Sequence, residues 1–178
     1  MDDSIDIERA LKELDSYLCK KEKRYSLYTC GGASLVFLGY EGRKTNDVDL
    51  INKKLDSDLI EGILHVSNKL RINEKWMNNR VAPLGDRMGK GWREKCQVIF
   101  QGKSITLFSI SRQDLINSKL HASVDRRKSD FLDLVWLSPT LNEIDIAMEY
   151  TLKRDKSATY PVFVNAFVNL LKKELGYA

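Results

Sequence analysis

Between Tyr25 and Ile51 the chain changes its periodicity repeatedly within one short stretch, and this limits the folds open to it. Tyr25 to Thr29 (YSLYT) is rich in strand formers and runs into Gly31-Gly32, a break in direction. Gly32 to Tyr40 reads as a short apolar helix. Asp47 to Ile51 (DVDLI) then alternates acid with apolar residue, the pattern of a strand with one wet face. A strand, a glycine turn, a helix and a second strand call for a sheet covered by helices.

The flanking stretches extend this frame. Ile7, Leu11, Leu14 and Leu18 form one stripe at helical spacing, so Ile5 to Leu18 predicts an amphipathic helix. Asp56 to Leu70 predicts another, with Leu59, Ile63, Val66 and Leu70 inward. Residues 71–94 hold Trp76, Trp92, Pro83 and many charges, and read as a long loop with a short helix near Trp76. Gln97 to Phe100 and Ser104 to Ile110, separated by Gln101-Gly102-Lys103, predict a hairpin. From Ser111 onward the pattern is helical. Ser111 and Asp114 stand at capping-box spacing, and Pro139 and Pro161 mark helix boundaries. The expectation is an α/β or α+β core over residues 1–110 and a helical C-terminal part over 111–178 packed on it or continuous with it.

Composition excludes several classes. With 178 residues, 43% hydrophobic and 30% charged, the chain can bury a core, and no apolar run reaches transmembrane length. Its N-terminus (MDDSIDIERA) is acidic and polar, unlike a signal peptide. Cys19, Cys30 and Cys96 are odd in number and lack metal spacing, which reads as reduced thiols of a cytoplasmic protein. His65 and His121 have no second ligand at metal spacing and read as structural or surface residues. A net charge of +4 suits a phosphate-bearing partner without requiring one. Basic density is higher than average between Lys69 and Lys95 and between Arg112 and Lys128. Trp76 and Trp92, among Lys75, Arg80, Arg87, Lys90 and Arg93, read either as cover for the core edge or as a stacking surface for nucleic acid.

Asp47 and Asp49 carry the chemistry. Side chains two apart on a strand share a face, so the carboxylates converge, and two like charges that close call for a cation. Magnesium takes carboxylate and phosphate oxygens. An Asp-x-Asp alone equally suits a turn or a solvated edge. The Gly31-Gly32-Ala33-Ser34 turn upstream adds a strand-to-helix junction where backbone N–H groups approach a phosphate. Together they supply what phosphoryl transfer needs: a cradle for a triphosphate and a metal at the reacting phosphorus.

Gly31-Gly32-Ala33-Ser34, Arg43-x-Thr45 and Asp47-Val48-Asp49-Leu50 resemble the signature of the DNA polymerase beta-like nucleotidyltransferase superfamily. The spelling is most similar to the branch that contains AbiEii-type toxins of toxin–antitoxin systems and related bacterial proteins. A second block, Asp114 to Leu120 followed by Arg126 to Leu134, is similar to that branch's helical lysine and aspartate segment. The resemblance implies a small mixed β-sheet core with flanking helices. It implies Mg2+ or Mn2+ held by Asp47 and Asp49, with a nucleoside triphosphate held by Gly31, Gly32, Ser34, Arg43 and Thr45. Lys119 would meet the phosphates and Asp130 would help position the lysine or the acceptor. The acceptor is left open among a transfer RNA end or other RNA, a protein side chain and a small molecule, and an antitoxin partner is implied.

One departure stands out. The superfamily commonly adds a third carboxylate from a later strand, whereas CQVIF and KSITLFSI offer Ser104 and Thr106 but no acid. Asp86 and Glu94 are the nearest acids in the preceding loop. Three functions therefore remain: a metal-dependent nucleotidyltransferase, a catalytically impaired module of the same fold that binds nucleotide or a partner, and an interaction protein. The last would use Phe163, Phe167, Leu170 and Leu171, which read as core or as a partner-helix surface. Without the first block, Lys119, Arg126, Arg127, Asp130 and Asp133 read as surface ion pairs between two helices.

Overall fold

The apolar stripes of the helices and the alternation of the strands meet in a core on one side of a mixed sheet. The computed structural model describes residues 5–126 and 129–177, so Arg127 and Lys128 of the second sequence block lie outside the described residues. The chain divides into two compact units, Met1–Ser111 and Arg112–Ala178.

In the first unit the order is α1 (Ile7–Lys20), β1 (Tyr25–Cys30), α2 (Gly32–Phe37), β2 (Val48–Leu50), α3 (Ser57–Leu70), β3 (Met77–Asn78) and α4 (Leu84–Arg87). A short 3-10 turn (Trp92–Lys95), β4 (Gln97–Gln101) and β5 (Ile105–Ser109) follow. The sheet runs β3-β2-β1-β5-β4. β1 is antiparallel to β2 and parallel to β5, and β2 is parallel to β3. One face buries Leu27, Val48, Leu50, Met77, Ile105 and Leu107 together with the inner faces of α1 and α3. Because strand side chains alternate, their neighbours Tyr28, Cys30, Asp49, Asn78 and Phe108 lie on the other face. Asp6 caps α1 by accepting from the Arg9 amide, and Asp56 caps α3 by accepting from the Leu59 amide, both at 2.9 Å.

The expected helix near Trp76 is absent. Trp76 is fully buried, and its indole N–H donates to the Ile63 carbonyl at 3.1 Å. That anchor under α3 holds the end of a turn, in which the Trp76 amide donates to the Asn73 carbonyl at 3.0 Å. The Trp76 carbonyl accepts from the Val48 amide at 2.6 Å, and Met77–Asn78 adds an edge strand to β2. The helical turns of this stretch lie further on, at Leu84–Arg87 and Trp92–Lys95.

The predicted hairpin forms, and α1 locks it. The Asp15 carboxylate accepts from the backbone amides of Lys103 (3.1 Å), Ser104 (2.7 Å) and Ile105 (2.8 Å). Gly102 is required there, since a Cβ on it would lie 2.1 Å from Asp15 Oδ1.

The second unit contains α5 (Arg112–Arg126), α6 (Ser129–Leu137), α7 (Leu141–Leu152) and α8 (Tyr160–Glu174). Pro161 falls in the first turn of α8. A capping box closes the start of α7, where Thr140 and Glu143 bond each other's backbone. Arg112 bridges to Glu143 at 2.8 Å and to the Leu137 carbonyl at 2.6 Å, drawing the start of α5 to the α6–α7 junction. The apolar residues of α8 divide: Leu171 is buried, Phe167 packs edge-on to Phe131, and Phe163 and Leu170 are exposed. Among the described residues no helix is long and apolar enough to cross a membrane.

Asp15→Ala would leave three hairpin amides without their acceptor. It is expected to lower unfolding stability by about 2 kcal/mol, and Gly102→Ala to do the same by displacing the carboxylate. Urea denaturation of both variants measures this, and stability equal to wild type would rule out the lock.

Candidate functional site

β1 ends at Cys30, and Gly31 turns the chain with φ +74°. A side chain there would be strained, and its Cβ would sit 3.8 Å from Asp49 Oδ2. At Gly32 a Cβ would lie 2.8 Å from Thr45 Oγ1, 3.0 Å from Thr45 Cβ and 3.4 Å from Arg43 Nη2. The bare Gly32 thus lets Arg43 and Thr45 close onto the turn, and Gly31 takes the positive φ that carries the chain past Asp49. No side-chain cap occupies the start of α2.

Hydroxyls fix this junction from behind. Ser34 Oγ donates to the Thr29 carbonyl at 3.3 Å, and Thr29 Oγ1 donates to the Asp49 carbonyl at 2.8 Å. Both side chains are fully buried, so the Ser34 hydroxyl faces β1. Thr45 Oγ1 donates to the Asp47 carbonyl at 3.2 Å, and an Arg43 N–H donates to the Lys44 carbonyl. Sequence reasoning counted Thr29 only as a strand former. Its role depends on a partner 20 positions away, which no local pattern signals.

Asp47 immediately precedes β2 and Asp49 lies within it. Val48 and Leu50, between and beyond them, are fully buried on the core side. The two carboxylates are half-buried on the opposite face. A paired carboxylate set beside an uncapped backbone turn fits a hard divalent cation that retains waters and accepts substrate phosphate oxygens. Of the other two acids, Asp86 pairs with Lys53 at 2.6 Å, and Glu94 folds back on Gly91. Among the described residues no group of three or more His, Cys, Asp or Glu converges.

Both tryptophans cover the core and offer no stacking surface. Trp76 is in the interior. Trp92 is buried edge-on to Tyr28, with the Arg93 guanidinium over both rings. Arg87, Lys90, Arg93 and Lys95 remain exposed.

In the second unit, Lys119 Nζ contacts Asp130 Oδ1 at 2.7 Å and Asp133 Oδ2 at 2.6 Å. The ion pairs between α5 and α6 are therefore buried rather than on the surface, with side chains 8% exposed for Lys119, 2% for Asp133 and 19% for Asp130. Burial pulls the Lys119 ammonium down. The hydrogen bonds and charges of Asp130 and Asp133 outweigh it and hold its pKa above the ordinary lysine value.

A raised lysine pKa stabilises the fold fully below the unfolded value, and the contribution is lost as pH rises through the folded one. Wild-type stability is therefore expected to decline above about pH 10.4 as Lys119 deprotonates, more steeply than that of Asp133→Asn. At neutral pH Asp133→Asn is expected to cost about 3 kcal/mol, and Asp130→Asn less because its carboxylate is more solvated. Urea unfolding across pH measures both. Equal losses from the two substitutions would contradict the burial argument.

A family model described as a nucleotidyltransferase of unknown function (DUF6036) matches residues 6–172. No curated protein and no solved structure matches the chain. The matched span takes in the glycine turn, the carboxylate pair and the lysine–aspartate cluster, and the chain belongs to this nucleotidyltransferase family.

Proposed function

We propose that the protein transfers a nucleoside monophosphate from a nucleoside triphosphate to an acceptor hydroxyl with Mg2+ or Mn2+. The observation that carries this reading is the closure of Asp49, Arg43 and Thr45 onto the Gly31-Gly32 turn, so that a phosphate cradle and a paired carboxylate share one corner of the sheet. Bound there, the cation supplies positive charge to the reacting phosphate. Asp47 and Asp49 hold it. Gly31 and Gly32 let the triphosphate approach the backbone, Arg43 offsets its charge, and Thr45 and Ser34 hold the loop and the helix start in register. The acceptor oxygen bonds to the α-phosphorus as the bond to pyrophosphate breaks. The resemblance also gives Lys119 of the second unit a phosphate-facing role, with Asp130 positioning that lysine or the acceptor.

The motifs further support membership of the DNA polymerase beta-like superfamily near the AbiEii-type toxins. With that goes a toxin-like role with an antitoxin partner, and an acceptor that is a transfer RNA end, a protein side chain or a small molecule. A second reading, a module that binds nucleotide or a partner without turnover, is favoured by the absence of a third acid among the described residues.

Incubation of the protein with each labelled triphosphate, Mg2+ or Mn2+, and RNA or protein extract separates the two. Transfer that falls about a thousandfold in Asp49→Ala, roughly 4 kcal/mol of lost transition-state stabilisation, supports the enzyme. Triphosphate binding without transfer to any acceptor supports the module.

A further inference from the structure

We infer that the side-chain amide oxygen of Asn78 is the third protein ligand of the divalent cation held by Asp47 and Asp49. The inference rests on the metal site proposed above and extends it to a residue on a strand that the sequence pattern did not reveal.

The argument begins with strand register. β2 and β3 are parallel, with Val48 opposite Met77 and Asp49 opposite Asn78. Val48 and Met77 are buried on the core side. Asp49 and Asn78 therefore emerge together on the other face, on strands about 5 Å apart. Asp49 has one other strand partner, Cys30 on β1. A thiol is a soft ligand, poorly suited to magnesium, whereas an amide oxygen is hard. The position beside Asp49 that can add an oxygen is thus that of Asn78.

The amide of Asn78 is also oriented. Its Oδ1 accepts from the Arg80 amide at 3.1 Å, and its Nδ2 donates to the Lys75 carbonyl at 3.4 Å. Those two partners fix which end is oxygen, because an N–H needs an acceptor and a carbonyl needs a donor. A carbonyl oxygen has two lone pairs, so one remains after the bond to Arg80. The alternatives are committed elsewhere. Asp86 is paired with Lys53, Ser104 is buried in the hairpin, and Thr106 Oγ1 accepts from Gln101.

A neutral ligand in place of a third carboxylate has a consequence. It leaves less negative charge around the cation, so the protein alone binds metal weakly and the substrate phosphates complete the site.

Mn2+ binding to the full chain without nucleotide, followed by loss of the free-ion electron paramagnetic resonance signal, tests this. Asn78→Asp is expected to tighten binding about tenfold by adding a charge, and Asn78→Leu to weaken it about tenfold. Asp49→Ala is expected to abolish it. Circular dichroism checks that each variant folds, and Asn78→Asp keeps the test decisive if Asn78→Leu does not. Wild-type affinity in both Asn78 variants, with binding lost in Asp49→Ala, overturns the role of Asn78 and leaves the metal site standing. Wild-type affinity in Asp49→Ala overturns the metal site as well.

Discussion

At Gly32 the turn between β1 and α2 accepts a neighbouring segment at a separation that leaves no room for a methyl group. Thr45 lies against Gly32, and the Asp49 carboxylate lies against Gly31. Everything proposed for the first unit follows from that contact. It brings the 43–49 segment onto the start of α2, and the buried hydroxyls of Ser34 and Thr29 hold it there from the core side. A side chain at Gly32 would push Thr45 and Arg43 off the start of α2, and one at Gly31 would strain a backbone held at φ +74°. Steric room, more than charge, positions this corner of the sheet.

The second unit meets a different constraint. A lysine buried between α5 and α6 needs compensation, and Asp130 and Asp133 supply it. The two carboxylates are not equivalent. Asp133 is sealed in the helix interface, while Asp130 keeps contact with solvent. The buried Asp133 and the more solvated Asp130 therefore differ in what their loss would cost the fold.

Much of the fold was legible because its signals are local. Stripes at helical spacing mark α1 and α3, the alternation in DVDLI marks β2, and Gly102 between two strand-forming runs marks the hairpin. The missing parts depend on distant partners. β3 is two residues long and exists because Trp76 is anchored to α3 and Met77–Asn78 pairs with β2. The lock on the hairpin joins Asp15 to residues about ninety positions away. Of the two readings of the tryptophans, burial is the one observed: the basic residues around them are exposed, while Trp76 lies in the core and Trp92 is buried against Tyr28. Of the candidate site, the motif residues of the glycine turn do come together. The inward turn of Ser34, the part played by Thr29 and the place of Asn78 beside Asp49 emerge only from the three-dimensional register.

The central claim is that the Gly31–Asp49 corner binds a metal–triphosphate complex. Paramagnetic broadening tests it residue by residue. Amide signals of the protein would be followed by nuclear magnetic resonance as Mn2+ and a non-transferable triphosphate analogue are added. The account predicts selective loss of the Gly31, Gly32, Asp47 and Asp49 signals, with those of the C-terminal turn of α1 and the β4–β5 hairpin tip retained. Retention of the glycine-turn signals while others disappear would contradict it.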